Sequence, residues 1–220
     1  MMQDTFMWLA DSANRAGDAG ILARLAQHLG VTVAVVAIAA LLAVPIGIAI
    51  GHARRGKAFV TFTSGTARAL PTLGLLTLFA LALGVGLAAP FWALVILAFP
   101  PLLAAAYSGV ESADAATVDA ARAIGMTEGQ VLRHVELPAA LPVMAGGLRS
   151  TVLQVAATAT LAAYTADIGL GRFLFAGMKT NHYEVMIGGA LLVMALALVL
   201  DRALAALERA VSHREKGNVA

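Results

Sequence analysis

The chain has 220 residues, of which 60% are hydrophobic and only 13% charged, with a mean hydropathy of +0.84. A soluble domain of this size carries about 25% charged residues, so the composition excludes one and points to an integral membrane protein, expected to be all-α from the length of its apolar runs. Cysteine is absent, which excludes a disulfide framework and thiolate chemistry, and the net charge of +2 sits in short loops and does not call for a nucleic acid partner.

Residues 1–28 carry Asp4, Asp11 and Asp18 and lack the basic start and long apolar stretch of a cleaved signal peptide. Leu22, Leu25 and Leu29 recur at helical spacing and predict an amphipathic, surface-lying helix in an extracytoplasmic N-terminal segment. Residues 29–204 read as a transmembrane domain with about five spans. A bilayer core ~30 Å thick needs about 20 apolar residues per helix, and residues 31–50 supply the first. Residues 69–110 carry no charge and are long enough for two crossings, turning at Gly84-Val85-Gly86 and Pro90. The fourth span is placed at 143–164 and the fifth at 185–200, leaving 205–220 as a C-terminal tail.

Arg68 precedes the long apolar stretch and has two readings. If the second helix begins at Ala58, Arg68 lies well inside it and marks a functional position facing protein or water. If residues 58–67 form an interfacial helix, Arg68 snorkels to the headgroups. Pro71 lacks an amide proton and predicts a kink in the same helix.

Basic residues orient the spans. Ten (Arg54, Arg55, Lys57, Arg122, Arg133, Arg149, Arg202, Arg209, Arg214 and Lys216) fall on one side, against four (Arg15, Arg24, Arg172 and Lys179) on the other. The expectation is a multi-pass protein of the cell inner membrane with its N-terminus outside and its C-terminus in the cytoplasm.

On the cytoplasmic side lies a polar island, residues 118–138, within a loop of 111–142. Asp114 is placed to cap a short helix over 115–124, and Gly125 supplies a left-handed stop. Thr127 and Gln130 form a capping box for a second helix. That helix is expected to run to about Glu136 and to be halted by Leu137-Pro138, because the residue before proline is pushed out of the α region. Two short helices with little apolar surface of their own need a partner.

Asp119-Ala120-Ala121, three residues, Gly125, nine residues, then Val135-Glu136-Leu137-Pro138 resembles the EAA signature of membrane subunits of bacterial ABC importers. The family pattern is Glu-Ala-Ala, three residues, Gly, nine residues, Ile, any residue, Leu-Pro. Asp119 keeps the carboxylate one methylene shorter, and Val135 replaces Ile. The resemblance implies a type I importer permease fold. It also implies that the residues Asp119, Ala120, Ala121, Gly125, Val135, Leu137 and Pro138 couple this chain to a separate ATPase subunit. ATP then binds the partner, and this chain holds no cofactor. A second permease copy or a similar paralogue and an extracytoplasmic solute-binding protein complete the implied assembly, surrounded by membrane lipid.

Within the family, the chain is similar to permeases that import the osmoprotectants glycine betaine, choline or carnitine. The similarity rests on Asp114 through Gly125, Val135 through Pro142, Pro71, Pro101 with Tyr107 and Gly109, Thr158 through Ala163, and Gly169-Leu170-Gly171. The chain departs from those relatives at Ala104-Ala105-Ala106, where they carry Arg-Asn-Thr, and at Ala166-Asp167-Ile168, where they are rich in glycine.

Other motifs carry less. Gly51 through Lys57 fits the start of a phosphate-binding loop, but Ala58 replaces the hydroxyl residue and a membrane helix precedes it rather than a strand. His28, His52, His134, His182 and His213 show no metal-ligand spacing, and no nucleophile elbow is present. Thr151, Gln154 and Thr158 share one face of the fourth span and either line a path or bond to neighbouring helices. The candidate path is Arg68, Pro71, Gln154, Thr158 and Tyr164, with Tyr164 and Asp167 placed to attract a quaternary ammonium. The competing functions are an ABC permease for methionine or another amino acid, a passive channel or scaffold without an ATPase, and an intramembrane enzyme.

Overall fold

The computed structural model describes the backbone of residues 1–217 and the side chains of these residues other than 67, 68 and 211–217. The described residues are almost all helical, with no strand among them. The elements are α1 (Met2–Ala10), α2 (Ser12–Arg15), α3 (Ile21–His52), α4 (Lys57–Ala69), α5 (Thr72–Leu83), α6 (Ala88–Glu111), α7 (Ala115–Ala123), α8 (Glu128–Val131), a π-helical turn (Leu132–Glu136), α9 (Leu137–Thr158), a 3₁₀ turn (Ala159–Tyr164), α10 (Gly171–Thr180) and α11 (Tyr183–Gly217).

Helices α3, α6 and α11 are long and apolar enough to cross a membrane. The fourth predicted span corresponds to the 22 residues of α9, extended by the 3₁₀ turn. The second differs from expectation. Pro71 does not kink one long helix; it ends the run, with φ −70° and ψ 115° at the cap of α5. Its ring keeps Leu70 out of the α region, so α4 and α5 are separate helices of 13 and 12 residues. The predicted surface helix at Leu22, Leu25 and Leu29 is likewise part of α3, and the separate N-terminal helix is α1.

The contacts divide the chain into two units. One comprises residues 1–37, 70–96 and 152–200. In it Trp8 of α1 meets Phe173 of α10 edge-on at 5.1 Å and lies against Gly188 of α11. Arg24, only 7% exposed, holds the 165–170 loop. It donates to the Asp167 carbonyl at 2.6 Å and to Asp167 Oδ1 at 2.9 Å, while Gln27 Oε1 accepts from the Gly169 amide at 3.1 Å. His28 is buried and bonded to the Ala156 carbonyl at 2.8 Å.

The other unit comprises residues 38–69, 97–151 and 201–220. Its contact between α3 and α6 follows from small residues one helical turn apart. Ala39, Ala43, Gly47 and Gly51 are all buried, and a Cβ on Gly47 would lie 2.6 Å from the Leu103 carbonyl and 2.7 Å from Ala106 Cβ. Backbones this close gain the dispersion contacts that replace the hydrophobic effect between helices in lipid. Gly147 of α9 packs on Ala105 in the same way, at a distance no side chain at 147 could occupy. The alanines at 104–106, which depart from the osmoprotectant permeases, are therefore at least in part packing residues. Arg149 ties α9 to α11, donating to Asp201 at 2.8 Å and to Glu208 at 3.0 Å.

Candidate functional site

The loop between α6 and α9 is built from caps outward. The Asp114 carboxylate accepts from Thr117 Oγ1 at 2.9 Å and from the Thr117 amide at 3.0 Å, satisfying a free donor at the start of α7. These bonds, led by the hydroxyl, hold the Asp114 carboxyl below its ordinary value of 3.8. A carboxyl lowered on folding stabilises the fold fully above its unfolded value and loses that contribution as pH falls through the folded one. The amide protection factors of residues 115–118, taken relative to the intrinsic exchange rate at each pH, are therefore expected to be constant well above pH 3.8 and to fall below it; Asp114→Ala should remove that pH dependence. An unchanged profile in the variant refutes the cap.

At the other end of α7, Met126 N–H bonds to the Ala121 carbonyl at 3.1 Å and Gly125 N–H to Arg122 at 3.0 Å. This pair is the Schellman arrangement, and it requires the left-handed φ of 90° that Gly125 adopts. The hydrophobic contact that accompanies it is present: Met126 packs on the cluster containing Ala121. Gln130 accepts from the Thr127 amide at 2.8 Å, completing the start of α8.

Two sequence expectations are corrected here. First, the second helix is not halted at Leu137-Pro138. It passes through the π turn, where Leu137 N–H reaches Leu132 O, directly into α9. Proline inside an α-helix clashes with the carbonyl four residues back; the wider π turn accommodates that ring and lets the helix continue. Second, the island has a core of its own. Ala113, Val118, Ala121 and Val131 are buried together, with Met126, Val135 and Ala139 against them. Ala121 and Val135 thus serve internal packing, whereas Asp119, Ala120 and Gly125 are exposed. Leu137 and Pro138 are half-buried within the continuous helix.

Sequence reasoning missed the most exposed large apolar side chain of the loop. Ile124 is 78% exposed beside Gly125. In the motif it is one of three unspecified residues, so only the three-dimensional position distinguishes it.

The loop also carries an ionic chain. Arg122 donates to both oxygens of Glu128, at 3.0 and 2.9 Å, and lies 3.7 Å from Asp119. The Arg122 hydrogen bond, followed by its charge and that of His52, holds the Glu128 carboxyl below its ordinary range, and the same bond raises Arg122. His52, the last residue of α3, sits between Glu128 at 3.4 Å and Glu136 at 2.5 Å. Arg54 donates to the Ala113 carbonyl at 3.2 Å, so the turn that mimicked a phosphate-binding loop serves the carbonyls beyond the C-terminus of α6.

The candidate path residues differ in exposure. Pro71, Gln154 and Tyr164 are exposed and Thr158 is half-buried; the side chain of Arg68 lies outside the described residues. The hydroxyls of Thr151 and Thr158 donate to carbonyls of their own helix, Gly147 and Gln154, at 2.8 and 2.7 Å. Tyr164 stands 5.9 Å from the Phe175 ring. Asp167 is not a bare cation-attracting carboxylate, because Arg24 and Arg172 both reach its Oδ1, at 2.9 and 2.6 Å.

A membrane-buried helical chain with a self-contained capped loop of this spacing matches one transport family by sequence. The family described as the binding-protein-dependent transport system inner membrane component matches residues 43–213. The chain belongs to that family. Its relatives include the glycine betaine/carnitine/choline transport system permease protein OpuCB of Bacillus subtilis, 32% identical over 87% of this chain and 88% of the relative. OpuCD, a permease protein of the same description and organism, is 30% identical over 90% and 88%. Among solved structures, the inward-facing MetNI methionine ABC transporter aligns with a TM-score of 0.75 over 87% of this chain and 95% of that one, at 22% identity. At that identity the likeness establishes the fold, that of a type I ABC importer permease. This family member is thus a multi-pass membrane component of an ABC importer rather than an enzyme, and such a component implies a separate ATPase and a solute-binding protein as partners.

Proposed function

We propose that this chain is the translocating subunit of an ATP-driven importer for small quaternary amines of the glycine betaine, choline or carnitine type. The observation that carries the reading is the similarity to OpuCB over nearly the full length of both chains, at 32% identity. In this reading an ATPase subunit grips the 111–142 loop from the cytoplasm, and ATP is bound by that partner alone. Asp119, Ala120, Ile124 and Gly125 present the contact surface, while Ala121, Val135, Leu137 and Pro138 hold its shape. The bias of basic residues supports an N-terminal segment, 1–28, outside and a tail, 205–220, inside.

Two permeases line the path between them. The Bacillus system, with OpuCB and OpuCD both similar to this chain, favours a paralogous pair as readily as two identical copies. An extracytoplasmic binding protein delivers the solute. Closure of the ATPases draws the two loops together, and α9, continuous with the loop, carries the motion into the membrane by rocking about a fixed site. Pro71, Gln154, Thr158 and Tyr164, with Arg68, are the path residues of this proposal.

The test is uptake in proteoliposomes containing the chain, its ATPase and its binding protein. ATP-dependent accumulation of labelled glycine betaine is expected, competed by choline or carnitine and not by methionine. Competition by methionine alone would sink the substrate assignment, and accumulation without ATP would sink the importer mechanism.

A further inference from the structure

We propose that His52 is a positioning residue that clamps the ATPase-coupling loop to the C-terminal end of α3, so that the loop and that helix end move as one. The inference rests on the reading of the loop as the ATPase-docking element. Glu136, in the π turn just before α9, is 0% exposed. One of its oxygens bonds His52 Nδ1 at 2.5 Å and the other has no hydrogen-bond partner among the described residues. A buried carboxyl group is costly unless hydrogen-bonded, and the His52 imidazole supplies that bond to Glu136.

The other ring nitrogen faces the opposite end of the same segment. Nε2 lies 3.4 Å from Glu128 at the start of α8. Glu128 is gripped by Arg122 of α7, which in turn approaches the motif carboxylate Asp119. A neutral imidazole donates to only one of two flanking carboxylates; the imidazolium donates to both. One side chain on α3 thereby joins α7, α8 and the π turn. Nothing in the motif spacing marks His52, which lies 84 residues from Glu136 in sequence.

A stroke delivered to the docking surface would, with the clamp in place, displace α3 along with α9. Without it, the loop would pivot on its own and ATP would be spent without moving the helix end.

The chain has no cysteine, so paired spin labels can be introduced at Ala53 and Ala116, both exposed. In the complete complex the label–label distance is expected to be narrow and identical with and without ATP. His52→Ala should broaden it and make it respond to ATP while the ATPase subunits stay bound. The same variant should raise the ATP hydrolysed per solute imported about tenfold, within the usual range of coupling between sites. His52→Lys, whose ammonium can donate to both carboxylates, should restore most of the coupling. Glu136→Gln, a neutral side chain of the same shape, tests the clamp without leaving a buried charge unpaired, and should reproduce the broadening.

A narrow, ATP-independent distance and unchanged stoichiometry in both His52→Ala and Glu136→Gln overturn the clamp. So does loss of the ATPase subunits from His52→Ala combined with wild-type behaviour of Glu136→Gln. If the unmodified chain itself fails to retain ATPase subunits, the docking reading falls instead, and the label distance in the chain alone still separates a held loop from a free one.

Discussion

A Gly125→Val chain is expected to insert into the membrane at normal levels, to lose its ATPase subunits and to show no uptake. The residue stands at φ 90°, a conformation that costs an ordinary L-residue about 1–2 kcal/mol and a β-branched one more. Space is not the issue, because a Cβ there would meet nothing within 4 Å. The strain is relieved by opening the two bonds that close α7, from Met126 to Ala121 and from Gly125 to Arg122. Ile124 and the exposed side of α7 would then leave their place, while the apolar spans, held by separate contacts, would not. Asparagine tolerates the left-handed region, so Gly125→Asn should keep most of the activity. Membrane yield, co-purification with the ATPase and uptake, measured for both variants, check this. Equal uptake by the valine variant and the unmodified chain excludes the loop as the drive point.

Ile124→Asp should produce the same loss by a different route. An apolar side chain 78% exposed at the head of the 111–142 loop contributes almost nothing to the fold, and surface changes of this kind usually shift stability by less than about 0.5 kcal/mol. Buried in a partner's groove, it becomes an anchor, and removing such an anchor typically costs about 2 kcal/mol or more of binding, roughly a thirtyfold loss. A carboxylate adds a desolvation penalty. The expected result is unchanged melting of the chain, unchanged amide protection in α7, and co-purification with the ATPase reduced at least tenfold. Retained binding would move the docking surface elsewhere on the loop.

These two positions mark the boundary between what could be read from residues and what could not. Gly125 was legible because its role is local: a short helix ending on glycine, with a capping box two residues later, has few other meanings. Asp114 and Gln130 were legible for the same reason, and the structure gives each the bond its type and spacing implied. Ile124 was not legible, since a motif position with no preferred residue carries no signal in one sequence. Nor was the continuity of α8 with α9. The rule that a residue before proline leaves the helix is a tendency, and the π turn at Leu132–Glu136 evades it by changing the hydrogen-bond register.

Pro71 shows the same rule applied with the opposite outcome. There the sequence pointed to a kink and the structure has a full break, because Leu70 leaves the helical register and α5 starts afresh. The two prolines are chemically identical, and only their surroundings differ.

Composition and short-range pattern by themselves determined that this chain is a helical membrane protein, where its apolar runs lie, and that a capped polar loop of a transport family interrupts them. Those properties depend on solvent transfer and on bonds between residues a few positions apart. Tertiary structure alone decided which loop residues face outward, why alanines stand at 105 and 106 against Gly147 and Gly47, and that His52 meets Glu136. Each of these joins groups distant in sequence. A charge or a methyl group acquires its role only when packing sets its distance to a partner that no local pattern names.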